Sequence, residues 1–163
     1  MSTLYVDTIT EKTLGNGVQI AGHVVQVVNI NSTANNYTNS SSYTATTLTV
    51  QITPKSNTSK VLILLSPKVR VYNNSGTDSR VDIRLSRDAN SSFLFMNEVR
   101  SYDYGSSGHL VEQVPHTTFL DSPATTSTIT YTVYWRLDAG TAAELNATGG
   151  SNVSTLTLME IAQ

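Results

Sequence analysis

The chain has 163 residues, enough for one domain and not for two of ordinary size. It has no cysteine, which excludes disulfide frameworks, thiolate metal sites and cysteine nucleophiles. With 10 Lys+Arg against 12 Asp+Glu, the net charge is −2. No basic excess exists to hold a phosphate backbone, so nucleic acid is not expected as a partner.

Charged residues make up only 13% of the chain, and its polarity comes instead from 20 Ser, 24 Thr and 13 Asn. That composition favours strands, turns and hydrogen-bonded loops over helices. The first residues, MSTLYVDTITEK, lack a basic stretch followed by an apolar one, so no secretory signal is expected. The longest aliphatic run, Val61–Leu65, is far short of the roughly 20 residues that span a bilayer, and no membrane insertion is expected.

In chain order, Leu4, Val6 and Ile9 suggest a short strand over residues 3–9. Gly15-Asn16-Gly17 marks a turn before Val18 and Ile20, and Gly22 precedes a strand over 23–30. Residues 31–42 carry almost no apolar payload and read as a loop or exposed edge. Leu48, Val50 and Ile52 then alternate with polar residues until Pro54. Residues 60–66, KVLILLS, are apolar on both faces and predict a central strand. After Pro67, Val69 and Val71 alternate with Lys68 and Arg70, and residues 73–78 form a hairpin loop.

Val81, Ile83 and Leu85 alternate with Arg80, Asp82 and Arg84, which predicts a salt-bridged outer face. FLFMNEV, residues 93–99, is the next strand, and residues 101–108 read as a Gly/Ser/Tyr loop. Leu110–Leu120 suggests one strand bent at Pro115. Ile129, Tyr131, Val133 and Trp135 define the clearest long strand, with Trp135 in the core. LDAG and TGGSN are turns, and Leu156, Leu158 and Ile161 close the chain.

No window has sustained helical periodicity. Nine to eleven short strands with turn chemistry between them predict an all-β, antiparallel β-sandwich. A jelly roll is the favoured form, with another Greek key as the alternative. The sandwich is placed at residues 23–163, and residues 1–22 form an extended N-terminal attachment or oligomerisation segment. Such a segment cannot bury its own Leu4, Val6, Ile9, Val18 and Ile20, so these five are candidate contacts with a partner subunit or another protein.

The search for chemistry returns little. His109, Glu112 and His116 have metal-like residue types, but 109 and 116 fall on opposite faces of a strand, and no metal is assigned. His23 reads as a structural or interface histidine. Asp82 and Asp88 lie near arginines, which favours ion pairing, while Asp121 and Asp138 suit local hydrogen bonds at strand ends. Glu160 interrupts a nearly apolar strand; it is either an outward residue on an edge strand or a buried, paired carboxylate at a subunit interface. GSSG at 105–108 lacks the nucleophile-elbow spacing, and no phosphate-binding glycine motif occurs. Neither an enzyme nor a cofactor is expected. Asn-x-Ser/Thr sequons occur at 8 positions, read as Asn and Ser/Thr sharing the same loops.

Tyr102 and Tyr104 flank Asp103 in the Gly/Ser loop. Rings of this kind stack on apolar sugar faces, and a carboxylate accepts hydroxyl hydrogens. These three residues are the candidate receptor contact; the alternative is an ordinary exposed Tyr-rich loop.

The opening STLYVDTITEKTLGNGVQIAGHVVQVV resembles the start of many small virion proteins of tailed bacteriophages of marine bacteria. Ser41-Ser42-Tyr43, then Leu48 through Pro54, then Ser59-Lys60-Val61-Leu62-Ile63 are similar to their next stretch. Leu120-Asp121-Ser122-Pro123 with Thr130-Tyr131, and Leu156 through Ile161, resemble their closing pieces. The resemblance covers nearly the whole chain and brings no catalytic residue. It implies a virion structural protein, most often labelled tail fibre, commonly a homotrimer, that joins other virion proteins through the N-terminal segment. Two roles stay open: a fibre or fibre-tip module touching a host surface glycan or protein, and a structural virion part such as a head decoration, head fibre or adaptor.

Overall fold

The computed structural model describes residues 6–10, 20–74, 76, 78–88, 93–105, 108–147 and 152–163. Among these residues there is no helix, and every strand pairing is antiparallel. The strands are β1 (Val24–Ser32), β2 (Asn36–Thr38), β3 (Thr44–Ile52), β4 (Lys60–Ser66), β5 (Val69–Asn73) and β6 (Asp78–Arg87). They continue with β7 (Phe93–Tyr102), β8 (His109–Gln113), β9 (Thr117–Asp121), β10 (Ile129–Ala139), β11 (Ala142–Leu145) and β12 (Ser154–Ile161).

Three four-stranded sheets result. The first has the order β1-β12-β4-β9, the second β3-β10-β6-β7, and the third β2-β11-β5-β8. Each strand of the third sheet lies in a connection between the first two sheets: β2 between β1 and β3, β5 between β4 and β6, β8 between β7 and β9, β11 between β10 and β12. Four crossing segments are thus hydrogen-bonded side by side.

The core follows from period-two alternation. Val61, Ile63 and Leu65 from the first sheet, Val81, Ile83 and Leu85 from the second, and Val69 and Val71 from the third are buried in one apolar cluster. Trp135 and Tyr131 are its largest fully buried side chains. The two larger sheets also meet at both margins. Ser32 Oγ lies 3.0 Å from Thr47 Oγ1 between β1 and β3. Phe95 and Phe119 stack at 5.7 Å between β7 and β9, where Asn97 also donates to Thr117.

Several local expectations are corrected. Residues 6–9, the described part of the strand expected over 3–9, are not in a strand. The polar run 31–42 is an edge, one of its two expected forms: it contains the end of β1 and all of β2, both edge strands, because main-chain pairing to β11 does not need apolar side chains. Leu110–Leu120 is two strands, β8 and β9, which Pro115 separates and which pair in different sheets. LDAG is not a turn from its first residue: β10 runs through Ala139, and Gly140 turns with a φ of 110°.

Candidate contact surface

Tyr102 ends β7, an edge strand, in register with Asp78 of β6, and the chain leaves the sheet after it, so Tyr102 belongs to the strand and not to the loop expected over 101–108. Tyr104 is 93% exposed and Tyr102 51% exposed. Their rings meet edge to face with centroids 5.0 Å apart. The Arg100 guanidinium lies 5.8 Å from the Tyr102 ring and pairs with Asp78 at 3.2 Å. Asp103 Oδ1 accepts a 2.9 Å hydrogen bond from Gly105 N, a local turn that commits one carboxylate oxygen.

The loop is anchored at its far end. Gly108 packs so closely on the carbonyl oxygens of Asn73 and Asn74 that a Cβ there would sit 2.6 and 2.9 Å from them. Asn73 itself donates from Nδ2 to the carbonyl of Asp78 at 2.7 Å. The 103–108 connection and the start of the 73–78 connection therefore lie together; Ser75, Thr77, Ser106 and Ser107 fall outside the described residues. Beside this junction is a shallow cleft of about 400 Å³, lined by Arg70, Tyr72, Asn74, His109 and Leu110. Arg70 is held by Glu144 at 2.9 Å.

The other candidates separate widely. His109 stands on β8 with both ring nitrogens shielded from solvent and lacking a hydrogen-bond partner among the described residues. Glu112 pairs with Lys68 at 3.2 Å, and His116 Nδ1 lies 2.8 Å from Ser66 Oγ. Among the described residues no three metal-type side chains gather. His23 is exposed just before β1, and its carbonyl accepts from Ala162 N at 2.9 Å. Of the N-terminal contacts, Val6, Ile9 and Ile20 are exposed. Leu4 and Val18 lie outside the described residues.

Glu160 is neither outward nor on an edge strand. It is completely buried on β12, between β1 and β4. Its Oε2 accepts from Gln26 Nε2 at 2.5 Å and its Oε1 from Lys55 N at 2.7 Å, so its partners are within the chain. Asp88 is corrected too: its Oδ1 accepts from Thr130 N of β10 at 3.0 Å, a main-chain tie in place of the expected ion pair.

The second sheet's outer face carries the charge network expected around Arg80, Asp82 and Arg84. Arg136 binds Asp82 at 2.8 Å, and Arg80 binds Asp138 at 2.7 Å. The hydrogen bond to Asp82 and the neighbouring acids raise the Arg136 pKa. Arg84 lies between two rings, 3.5 Å from the centroid of Tyr43 and 4.3 Å from that of Phe93. Burial raises the Tyr43 pKa, and Asp82 adds to the shift. Sequence reasoning missed this aromatic bracket, because residues 43, 84 and 93 meet only through tertiary pairing. No protein-family model and no curated protein matches the chain.

Proposed function

We propose that this chain is a bacteriophage virion structural protein, a homotrimeric tail fibre or fibre-tip module that contributes to host adsorption. The strand orders β1-β12-β4-β9 and β3-β10-β6-β7 support a jelly roll: two four-stranded antiparallel sheets exchange successive strands, an arrangement recurrent in capsid and lectin domains. The whole-chain resemblance to small virion proteins supplies the context. Neither carries the contact role by itself.

The observation that carries adsorption is the exposed Tyr102–Tyr104 pair. Two tyrosines held edge to face in solvent, beside an acidic acceptor and a shallow cleft of mixed polar and apolar lining, suit a hydroxylated surface with apolar ring faces, namely a glycan. Each contact is weak, and multiplicity in the trimer and on the particle supplies avidity.

Replacing Tyr102 and Tyr104 by Ala in the phage is expected to leave particles assembled and to slow adsorption about tenfold, from losing two anchors of roughly 1 kcal/mol each. Unchanged adsorption, or an electron cryomicroscopy map with this loop buried against a neighbour, would transfer the chain to the structural class of decoration, head fibre or adaptor.

A further inference from the structure

The first sheet has an apolar inner face and one apolar row on its outer face. In β4, Val61, Ile63 and Leu65 point into the core, while Leu62 and Leu64 point outward and are only half-buried. The pairing register sets Val27 opposite Met159, Met159 opposite Leu62, and Leu62 opposite Leu120. An apolar row therefore crosses all four strands on the outer face. At about 4.8 Å between strands the row is roughly 14 Å long. Its two ends, Val27 and Leu120, are the most exposed members. Among the described residues, the outward positions of these four strands carry a single charge, Lys60. The second sheet's outer face, by contrast, is covered by ion pairs such as Arg136–Asp82 and Arg80–Asp138.

A second uncovered apolar feature begins at a corner of the same sheet. His23 N donates to Ile20 O at 2.9 Å, and Gly22 N donates to Ala162 O at 2.8 Å. Gly22 takes a φ of 85°, which turns the chain away from β1. Beyond that turn Ile20, Ile9 and Val6 are all exposed. The chain from residue 6 to residue 20 can span about 45 Å when extended, more than twice the width of its own sheet. Asp7 in this segment complements Lys60 at the margin of the apolar face.

We propose that the outward row Val27–Met159–Leu62–Leu120 docks the N-terminal segment of a second copy of this chain. One contact then covers both apolar features, and the low charge of the face avoids repulsion between like copies. The proposal rests on the trimer reading above and names the surface that forms it.

The test uses the purified full chain. Sedimentation equilibrium is expected to give three times the 17.6 kDa chain mass. Val27→Asp with Leu120→Lys is expected to give monomer with an unchanged far-ultraviolet spectrum, whereas Gln51→Lys on the second sheet keeps the trimer. Should the charged pair fail to fold, Val27→Thr with Leu120→Thr carries the same comparison as a rise of at least tenfold in the dissociation concentration. The chain lacks cysteine, so Ile9→Cys with Leu120→Cys supplies the only thiols, and oxidation is expected to link separate chains. A monomeric wild type overturns both the trimer and this surface. A trimer that survives the substitutions overturns the surface alone. A disulfide closed within one chain, or none, also overturns it.

Discussion

Tyr131 on β10 donates its phenol hydrogen to Asp121 Oδ2 on β9 at 2.7 Å, so one hydrogen bond ties the second sheet to the first. The same carboxylate accepts from Arg87 at 2.9 Å and from Ser122 N at 2.9 Å. Both Tyr131 and Asp121 are buried. Tyr131→Phe removes the donor and leaves Asp121 with two partners, so the expected loss is about 1 kcal/mol. Asp121→Ala strands the phenol and the arginine together and is expected to cost about 3 kcal/mol. Urea unfolding measures both, and equal losses would mean that Asp121 acts only through Tyr131.

The same bond sets an alkaline limit. Burial pushes the Tyr131 pKa far above its ordinary value of 10.0, and the hydrogen bond and charge of Asp121 push it the same way. The folded state therefore keeps the proton after the unfolded chain has lost it. Stability from this group is fully present below pH 10 and falls as pH rises, by up to about 1.4 kcal/mol per pH unit. Thermal unfolding between pH 9 and 12 is expected to show that decline, and Tyr131→Phe is expected to make it shallower. An identical decline in the variant would assign it to other groups; the Tyr43 pKa is also raised.

Strand identity was legible wherever one face is polar. Leu48–Ile52, Val81–Leu85 and Ile129–Trp135 alternate in sequence and turn their apolar members to the core as expected, Val50 being only partly buried. The third sheet was not legible as a sheet. Asn36–Thr38 and Ala142–Leu145 are too short for a period, and main-chain pairing defines them. Pro67 and Pro115 were visible as breaks, but not the change of sheet that follows each break. The two-faced run KVLILLS gave a correct central position for β4 in its sheet. Its outward leucines, however, are covered by nothing described in this chain, and sequence alone does not separate that case from burial on both faces. Within the tyrosine loop, the exposure of Tyr104 followed from its Gly/Ser neighbours, whereas the Asn73–Gly108 junction depends on a long-range approach.

Glu160 gives a test of the buried polar tie. Its donors are neutral, a side-chain amide from Gln26 and a main-chain N–H from Lys55. Gln26 has a second acceptor, the Thr53 carbonyl at 2.7 Å, and keeps a partner when Glu160 is removed. Lys55 N does not share that acceptor. Glu160→Leu should therefore cost about 2–3 kcal/mol, mostly from an orphaned main-chain donor. Glu160→Gln is expected to lose less, because one amide oxygen still serves one of the two donors. Chemical denaturation ranks them, and a Glu160→Leu chain as stable as wild type would show that the residues before Lys60 rearrange freely.

Gly108 decides whether the tyrosine loop is held or merely present. A Cβ at this position would stand 2.6 Å from the Asn73 carbonyl oxygen and 2.9 Å from that of Asn74. Both are main-chain atoms, so relief requires the backbones of the 73–78 and 103–108 connections to part. Gly108→Ala is expected to cost about 1–3 kcal/mol, in the range of overpacking at a rigid site. Gly105 in the same loop is the control: a Cβ there meets the Asp103 carboxylate oxygens at 3.4 Å, near ordinary contact. Gly105→Ala should stay within about 0.5 kcal/mol of wild type. The two alanines have the same chemistry, so the difference in their melting temperatures reads the Gly108 approach alone. If the loop presents Tyr102 and Tyr104 to a host surface, Gly108→Ala also slows adsorption while Gly105→Ala does not. Equal melting temperatures for the two variants would mean that the connections are free to separate and that the tyrosine pair is not positioned from this end.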